Sequence, residues 1–261
     1  MNNNINISLI TATYGRYDEL NQSLVSLRKS HYDVCRYEII IVDQNPVGYL
    51  DKLLINYNDL NIIHLNSKRK GLSFNRNLGL KLASGDIVCF PDDDCQYYDE
   101  TLSTIEKVAS KYSNTPFFIA RINNDRLQNE IVERKWTHIP FSVNLYNFYL
   151  LANSNSMFIR RDSLLTFNES MGVGATYGSS EDVDLLYRIL KNSNISGLYC
   201  PTIQVSHPDP AYKNIPLDKI KSYSRGFGFF VRNDFDIHKF LYIILLVAKK
   251  IFQFIYSLFN S

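Results

Sequence analysis

The sequence predicts an α/β protein with one domain, in which helices cover a mostly parallel sheet. Short apolar runs typical of buried strands alternate with stretches of helical spacing through the first part of the chain. Of the 261 residues, 45% are hydrophobic and 21% are charged, which is typical of a folded globular protein rather than a disordered or polytopic membrane protein. Polar and acidic groups follow several of the apolar runs, where a parallel sheet places its ligands.

The first part of the chain alternates strands and helices. Apolar runs predict strands at residues 5–12, 37–42, 62–65 and 87–90, and helical spacing predicts helices at residues 20–27, 50–57 and 73–82. Glycine, Asn-Pro and Ser-Gly signals separate these elements. Strands joined by helices pair in parallel, so we expect their carboxyl ends to meet at one edge of the sheet.

The second part has a different composition, but no linker or internal repeat separates it from the first. A helix is predicted at residues 101–111, an aromatic-rich stretch at 117–149, a strand at 153–159 and a helix at 180–190. We therefore divide the chain at residues 1–115, 116–236 and 237–261. The first two are halves of one domain, and the third is an apolar helical tail.

Charge, cysteines and missing motifs exclude several classes of protein. With 28 basic and 26 acidic residues, the net charge of +2 gives no electrostatic footprint for nucleic acid. The four cysteines form no CxxC pair, which favours a reducing compartment over a zinc knuckle or a disulfide framework. The amino terminus lacks the features of a signal peptide, so we expect a cytoplasmic protein. The signature motifs of phosphate-loop kinases, dinucleotide-binding dehydrogenases, serine hydrolases and zinc peptidases are missing from the sequence.

An acidic triplet, Asp92-Asp93-Asp94, follows the predicted strand at residues 87–90. Close carboxylates repel one another by about 1 kcal/mol or more per pair, even in high dielectric, unless a cation compensates them. Oxygen ligands suit Mg²⁺ or Mn²⁺, which keep open positions for phosphate oxygens. A solvated turn or a helix cap is the alternative, although Asp99 already stands where it can cap the next helix. The triplet therefore favours metal or phosphate chemistry.

A second acidic cluster contains Glu181, Asp182 and Asp184 at the start of the predicted helix at residues 180–190. Acidic groups in a first helical turn are favoured by the helix dipole, so a capping role is one interpretation. The other is that the flexible glycine loop at residues 172–174 delivers a carboxylate to a pocket, where it accepts a proton as a general base. His207, after a strand-like run, is either a third metal ligand or a packed loop histidine.

Two further features have both a functional and a structural interpretation. Asp43, at the end of the second strand, either caps the next element or hydrogen-bonds a nucleobase at the sheet edge. The basic loop at residues 68–70, together with Arg76, either neutralises a diphosphate or is a solvated turn. On these residues alone, the solvated turn is favoured.

The tail at residues 239–259 is almost entirely apolar. A membrane-spanning helix needs about 20 apolar residues, and two adjacent lysines at mid-bilayer are costly, so a spanning helix is not predicted. On a helical wheel, Lys239 and Lys250 share one narrow side with Gln253 and Ser257, which leaves a wide apolar face. We therefore expect an amphipathic helix on a membrane surface. A terminal helix docked on the core or on a second subunit is the alternative.

Four segments, taken in order, resemble the family 2 glycosyltransferases. They read ISLITATYGR, EIIIVDQNP, KGLSFNRNLGLKLASGDIVCFPDDDC and MGVGATYGSSEDVDLLYRI. The match covers about residues 5–207. The resemblance implies an inverting enzyme of GT-A fold that uses a nucleotide sugar, with a Rossmann-like nucleotide-binding half at residues 1–115 and an acceptor-binding, catalytic half at residues 116–236.

The resemblance also implies roles for individual residues. Nucleotide-sugar contacts would come from Ala12, Tyr14 and Arg16 at the nucleotide, Asp43 at its base, Lys70, Arg76 and Asp92 near the ribose and diphosphate, and Asp93 beside them. Asp94 would be the direct ligand of Mg²⁺ or Mn²⁺, paired with Asp92 and joined by His207. Asp182 takes the place of the general base, and Glu181 that of a neighbour contacting the acceptor.

The activity implied is transfer of a sugar, with inversion, from a nucleoside-diphosphate sugar to a saccharide or lipid-linked acceptor. Cell-surface polysaccharide synthesis at the inner face of the cell membrane is the implied setting. Two alternatives stay open: a nucleotidyltransferase, which would release pyrophosphate, and an inactive sugar-binding or assembly subunit.

Overall fold

A computed structural model describes residues 5–123, 137–208 and 216–244 of the chain. Its centre is a nine-stranded sheet in the order β3-β2-β1-β4-β8-β6-β9-β5, with β7 paired to β9. The strands are β1 (Ile7–Thr13), β2 (Tyr37–Asp43), β3 (Ile62–Asn66), β4 (Ile87–Cys89), β5 (Gln96–Tyr97), β6 (Phe117–Asn123), β7 (Phe141–Val143), β8 (Met157–Arg160) and β9 (Gly197–Ser206).

The first four strands along the sheet order are parallel to one another, as predicted. β1 pairs in parallel with β2 and β4, and β2 pairs in parallel with β3. Successive side chains of β2 enter the two cores on opposite faces of the sheet: Ile39 and Ile41 pack in one, and Ile40 and Val42 in the other. A strand buried on both faces reads as a continuous apolar run, which is why these strands could be predicted from sequence.

Antiparallel pairings attach the second part of the chain to the same sheet. β8 pairs antiparallel with β4 and β6, while β6 pairs in parallel with β9. The predicted strand at residues 153–159 is shorter than expected, because Ser154–Ser156 forms a 3₁₀ turn in which the Asn153 side chain accepts the backbone N–H of Asn155. One sheet therefore contains strands from both predicted halves, and the predicted α/β fold class is confirmed.

Helices cover both faces of the sheet. They are α1 (Tyr17–Arg28), α2 (Asp51–Leu54), α3 (Leu72–Leu80), α4 (Thr101–Lys111), α5 (Glu181–Ser193) and α6 (Leu217–Arg232), and residues 237–244 form a further helical segment. α1 and α4 bury leucines and isoleucines in one core, and α5 and α6 bury apolar residues in the other. The helix predicted at residues 50–57 is α2, continued by a 3₁₀ turn at Ile55–Tyr57.

Lys239 lies on the side of the 237–244 segment opposite its exposed apolar residues, and this side is buried, which the sequence did not predict. Its ammonium donates to the backbone carbonyl of Phe230 at 2.8 Å and to that of Asn233, at the end of α6. Burial lowers the pKa of Lys239. Among the described helices, none combines the length and apolar composition that crossing a membrane requires, and residues 245–259 of the predicted tail lie outside the described residues.

We expect Gly79→Ala to destabilise the protein, because a Cβ at Gly79 in α3 would lie 2.5 Å from Ile10 Cγ2 and 3.1 Å from Val42 Cγ2. Overpacking of this kind costs about 1–3 kcal/mol. The matched control is Gly228→Ala in α6, where a Cβ has no neighbour within 4 Å. Here alanine should gain stability, by up to about 1 kcal/mol of helix propensity. Urea unfolding of both variants measures the difference, and equal effects would contradict close packing at Gly79.

Candidate active site

The candidate site lies at the sheet edge where several strands end. β1, β2 and β4 run parallel, so the residues that follow them meet at this edge. β9 also ends at this edge. β8 is antiparallel to both β4 and β6, so β4 and β6 run in the same direction, and β9 is parallel to β6. His207 directly follows β9 and is thereby brought to the acidic triplet that follows β4.

A cavity of about 610 Å³ opens at this edge. Its border includes the predicted nucleotide contacts Ala12, Tyr14, Arg16, Lys70, Asp92 and Asp93. Asp94 and His207 border the same cavity. The volume lies within the range of small-molecule and cofactor sites, about 300–1,000 Å³. The structure therefore brings together most of the residues predicted at the donor.

Asp43 does not border this cavity. It is fully buried at the end of β2 and accepts hydrogen bonds from the backbone N–H and the side-chain amide of Asn45, at 2.8 and 2.7 Å. The Asn66 amide donates to its other oxygen at 3.2 Å. Asn45 in turn accepts the backbone N–H of Gly15 at 2.7 Å. Asp43 therefore orders the loops that follow β1 and β2, and its neighbour Gln44 reaches the cavity border.

Asp92, Asp94 and His207 form a cluster that can hold a metal ion. Each residue offers one ligand atom, and these atoms all lie within 4.8 Å of one another. His207 Nε2 lies 3.2 Å from Asp94 Oδ1 and 3.7 Å from Asp92 Oδ2. Two carboxylate oxygens and one imidazole nitrogen suit Mn²⁺, and the carboxylates also suit Mg²⁺. The donor set therefore fits a divalent cation.

Arg16 brings positive charge to the triplet. Its Nε lies 3.1 Å from Asp93 Oδ1, and its guanidinium also pairs with Asp94. Burial raises the pKa of Asp93 to about 7, although Thr13 Oγ1 donates to this carboxylate at 2.8 Å. Burial also acts to raise the pKa of Asp94. The hydrogen bond from His207 and the charges of His207 and Arg16 outweigh this effect and hold the pKa of Asp94 below the ordinary value. Asp94 therefore keeps its negative charge more readily than Asp93.

Two residues from distant segments fix the carboxylate of Asp92. Arg76, which is 1% exposed on α3, donates through Nη2 to Asp92 Oδ1 and to Ser154 Oγ, both at 2.8 Å. Asn155 makes a reciprocal pair: its Nδ2 donates to Asp92 Oδ2 at 2.9 Å, and its Oδ1 accepts the backbone N–H of Asp92 at 2.6 Å. Both oxygens of Asp92 are thus bound, which sets the orientation of this predicted ligand.

A second cavity, of about 210 Å³, adjoins the first. Asp92 and His207 border both cavities. Asp182 borders the second cavity, and Asp94 borders the first. The acidic triplet and the second acidic cluster, far apart in sequence, therefore face adjoining spaces at one edge of the sheet.

Glu181 and Asp182 begin α5 in a buried environment. Burial raises the pKa of Glu181 to about 7, and the charge of Asp182 acts in the same direction. Burial also raises the pKa of Asp182, although its Oδ1 accepts the backbone N–H of Val183 at 2.8 Å. Arg76 Nη1 lies 3.6 Å from Glu181 Oε1 and offsets part of this effect. A carboxyl group with a raised pKa exchanges protons at a higher pH than an ordinary carboxyl group does.

Two glycines in the left-handed region shape the loop that was expected to deliver a carboxylate. Gly172 has a φ of 96° and Gly174 a φ of 83°. Val173 between them accepts the backbone N–H of Leu72 at 2.9 Å and borders both cavities. A Cβ at Gly172 would lie 3.2 Å from Glu181 Cδ. The loop therefore packs against the starts of α3 and α5, and the helix itself carries the acidic residues.

Sequence reasoning missed the residues that α6 and the turn before β8 bring to the site. Tyr223 borders both cavities, and Lys219 borders the larger one. The amphipathic pattern around Phe230 could have indicated a packed helix, but no local signal indicates which surface the helix approaches. Asn155 is distant in sequence from Asp92, and the antiparallel pairing of β8 with β4 brings the two together.

Comparison with known proteins assigns the family. The profile of Glycosyl transferase family 2 matches residues 8–174, which is more than half of the chain. The chain therefore belongs to the family 2 glycosyltransferases, as its motifs predicted. Membership in this family sets aside the nucleotidyltransferase alternative.

One relative is the glucosyl-dolichyl phosphate glucuronosyltransferase of Haloferax volcanii, which is 26% identical over 118 residues. The match covers 44% of this chain and 36% of the relative, so the chain spans only about a third of that protein's length.

Two solved structures share the fold. S. aureus TarS 1-349 in complex with UDP-GlcNAc has a TM-score of 0.67 and 18% identity, and the match covers 90% of this chain and 69% of that one. The mannosyltransferase PcManGT from Pyrobaculum calidifontis, in complex with GDP-Man and Mn²⁺, has a TM-score of 0.60 and 12% identity, covering 95% of this chain and 81% of that one. These likenesses confirm the predicted GT-A fold.

We expect Asn155→Ala to weaken Mn²⁺ binding by about tenfold or more, because loss of a partner that orients a ligand typically costs this much in metal affinity. Isothermal titration with Mn²⁺ measures the effect. The matched control is Asn58→Ala, at an exposed position before β3, and it should bind Mn²⁺ like the unmodified protein. An Asn155→Ala variant with unchanged Mn²⁺ affinity would show that Asn155 does not position Asp92 for a cation.

Proposed function

We propose that this chain transfers a sugar, with inversion, from a nucleoside-diphosphate sugar to a hydroxyl of a saccharide or lipid-linked acceptor. One observation carries the proposal: the Asp92, Asp94 and His207 cluster and the Glu181–Asp182 pair border adjoining cavities. Family membership supports the transferase class. TarS and PcManGT, which share the fold, are described with UDP-GlcNAc and with GDP-Man, so a nucleotide sugar is the expected donor.

The larger cavity is the proposed donor site. The nucleotide would lie against Ala12, Tyr14 and Arg16, with Lys70, Arg76, Asp92 and Asp93 nearer the ribose and diphosphate. The Lys70 ammonium lies 3.8 Å from the centre of the Tyr14 ring, so positive charge is available beside an exposed aromatic surface. The predicted contact between Asp43 and the nucleobase stays a prediction. In the structure Asp43 is buried, and its two carboxylate oxygens accept hydrogen bonds from Asn45 and Asn66.

Asp92, Asp94 and His207 are the residues that would hold Mg²⁺ or Mn²⁺. When bound, the cation would neutralise negative charge that develops on the departing nucleoside diphosphate. Asp94 is suited to this position because its pKa is held below the ordinary value. PcManGT, described with Mn²⁺, supports a divalent cation in this fold.

Asp182 is the proposed general base. Its carboxylate would take the proton of the acceptor hydroxyl as that oxygen forms a bond to the anomeric carbon. The bond between the anomeric carbon and the diphosphate oxygen breaks in the same step, and the nucleoside diphosphate leaves with the electron pair. Because attack comes from the face opposite the leaving group, the anomeric configuration inverts. Glu181 would contact the acceptor beside Asp182.

We place the reaction in cell-surface polysaccharide synthesis, at the inner face of the cell membrane, with peripheral contact through residues 239–259. The apolar character of this stretch supports the membrane contact. The Haloferax relative is named for a glucosyl-dolichyl phosphate, which supports a lipid-linked acceptor as one of the two acceptor classes.

Incubation with a panel of nucleotide sugars, with Mg²⁺ or Mn²⁺ and simple saccharide acceptors, tests the function. Release of nucleoside diphosphate together with a glycosylated product of inverted configuration is the expected result. An inactive sugar-binding subunit would instead bind a donor, raising its melting temperature, and release no diphosphate in the presence of any acceptor.

We expect Asp182→Asn to lower kcat by about 10²–10⁴-fold, because an amide cannot accept the acceptor proton. Donor affinity should stay close to that of the unmodified protein, since Asp182 borders the second cavity and not the first. The control is Asp162→Asn, at an exposed position just after β8, which should change neither quantity. Near-normal kcat in Asp182→Asn would remove this residue from the role of base.

We expect kcat to fall on the acid side at a higher pH than an ordinary aspartate would give. The pKa of Asp182 is raised by burial, so its proton-accepting form is lost as pH falls through a value above about 3.9, the ordinary pKa of aspartate. Glu181 has a raised pKa as well, so the fall of kcat on the acid side reflects the titration of Glu181 and Asp182 together. A pH–rate profile with saturating donor measures it, and a kcat that stays constant down to about pH 4 would contradict the assignment.

A further inference from the structure

The helical segment at residues 237–244 is oriented with large apolar side chains toward solvent. Ile237, Phe240, Leu241 and Ile244 are 60%, 47%, 37% and 46% exposed. Their spacing of three, one and three residues places them on one face of a helix, which we name the outer apolar face. Lys239, on the other side, is 2% exposed.

The orientation of this segment is the reverse of that expected for a helix on the surface of a soluble protein. A surface helix of a soluble protein normally turns its apolar stripe to the core and its lysines to solvent. Here the inner side is fixed by specific contacts: the Lys239 ammonium binds the Phe230 carbonyl at 2.8 Å, and the Tyr242 ring lies 3.9 Å from the Tyr149 ring, centre to centre. The segment cannot rotate its apolar face inward without losing both. Contiguous exposed apolar residues of this kind mark an interaction surface.

The neighbouring helix α6 adds positive charge to this part of the molecule. It carries four basic residues against one acidic residue, and Lys221, Arg225 and Arg232 are exposed. Leu217 and Ile220, at its start, are also exposed. The 237–244 segment packs beside α6, since Phe227 and Tyr242 are in ring contact at 5.8 Å. The exposed basic residues therefore lie on the helix against which the 237–244 segment packs.

We propose that the outer apolar face and the basic residues of α6 bind the surface of an anionic lipid bilayer. Apolar side chains enter the boundary between headgroups and acyl chains, while lysine and arginine attract anionic headgroups. A second copy of the chain is the less favoured occupant, because a two-fold interface at this face would bring the basic residues of both copies together.

This membrane-binding surface deepens the proposed function, because it is the part of the protein that would meet the membrane. It rests on the proposed function only for the reason to bind a membrane, which is access to lipid-linked acceptors. α6 also brings Lys219 and Tyr223 to the border of the donor cavity. A bilayer bound beside α6 would hold the cavity close to acceptors that are attached to lipid.

Co-sedimentation of the full chain with vesicles tests the proposal without any donor or acceptor. The vesicles are phosphatidylcholine alone, or phosphatidylcholine with phosphatidylglycerol, and the variants are Ile237→Ser/Phe240→Ser and Lys221→Glu/Arg225→Glu. The control pair is Val47→Ser/Ile55→Ser, which replaces exposed apolar side chains outside this surface. The unmodified chain and the control pair should bind the anionic vesicles. The apolar double variant should lower the partition coefficient by about tenfold or more, and the charge variant should remove the preference for anionic over neutral vesicles.

Two outcomes would overturn the proposal. One is unchanged vesicle binding in the apolar double variant. The other is a dimer in sedimentation analysis that this variant dissociates, with no binding to vesicles, which would identify a second copy as the occupant. Sugar transfer to a water-soluble saccharide acceptor is measured on the same samples, so failure of the proposed activity is seen separately from failure of membrane binding.

Discussion

The site depends on one buried positive charge, the guanidinium of Arg76. Arg76 contacts Asp92 and Ser154 at 2.8 Å and lies 3.6 Å from Glu181, so it joins the two acidic clusters. Without it, carboxylates from separate parts of the chain would face one another with less compensation. Conversely, a buried arginine that lost these partners would leave an uncompensated charge, which is strongly destabilising. The guanidinium and the acids therefore hold one another in place.

The sheet topology makes that juxtaposition possible. β8 runs antiparallel to both β4 and β6, so β4 and β6 point in the same direction. β9 is parallel to β6 and therefore ends at the same edge of the sheet as β4. His207 meets the acidic triplet for this reason, and Asn155 reaches Asp92 from the turn that precedes β8. Asp92 and Asp94 lie between β4 and β5, His207 directly follows β9, and Asn155 lies in the turn just before β8, so the pairing of these strands brings the groups together.

The sequence predicted those parts of the molecule that depend on local patterns. The parallel strands could be located because strands buried on both faces are continuous apolar runs, and the acidic residues at their ends followed from the spacing of the motifs. The antiparallel part could not be predicted, because its pairings depend on contacts between residues far apart in sequence. Asn155 was missed for this reason. The burial of Lys239 was not predicted because a helical wheel records polarity alone, whereas the ammonium donates to carbonyl groups at the end of α6.

The charge balance around the two cavities connects the acidic triplet to the Glu181–Asp182 pair. Five carboxyl groups, those of Asp92, Asp93, Asp94, Glu181 and Asp182, are set against the guanidiniums of Arg16 and Arg76 and the imidazole of His207. Burial and the excess of acidic groups both favour the protonated form of a carboxyl group. The pKa values of Asp93, Glu181 and Asp182 are raised accordingly. Positive charge brought to Asp92, Asp94 and His207 would favour the ionised form of the nearby carboxyl groups. Since a carboxyl group can accept a proton only when it is ionised, a cation at Asp92, Asp94 and His207 and the proton-accepting form of Asp182 are stabilised by the same electrostatic change.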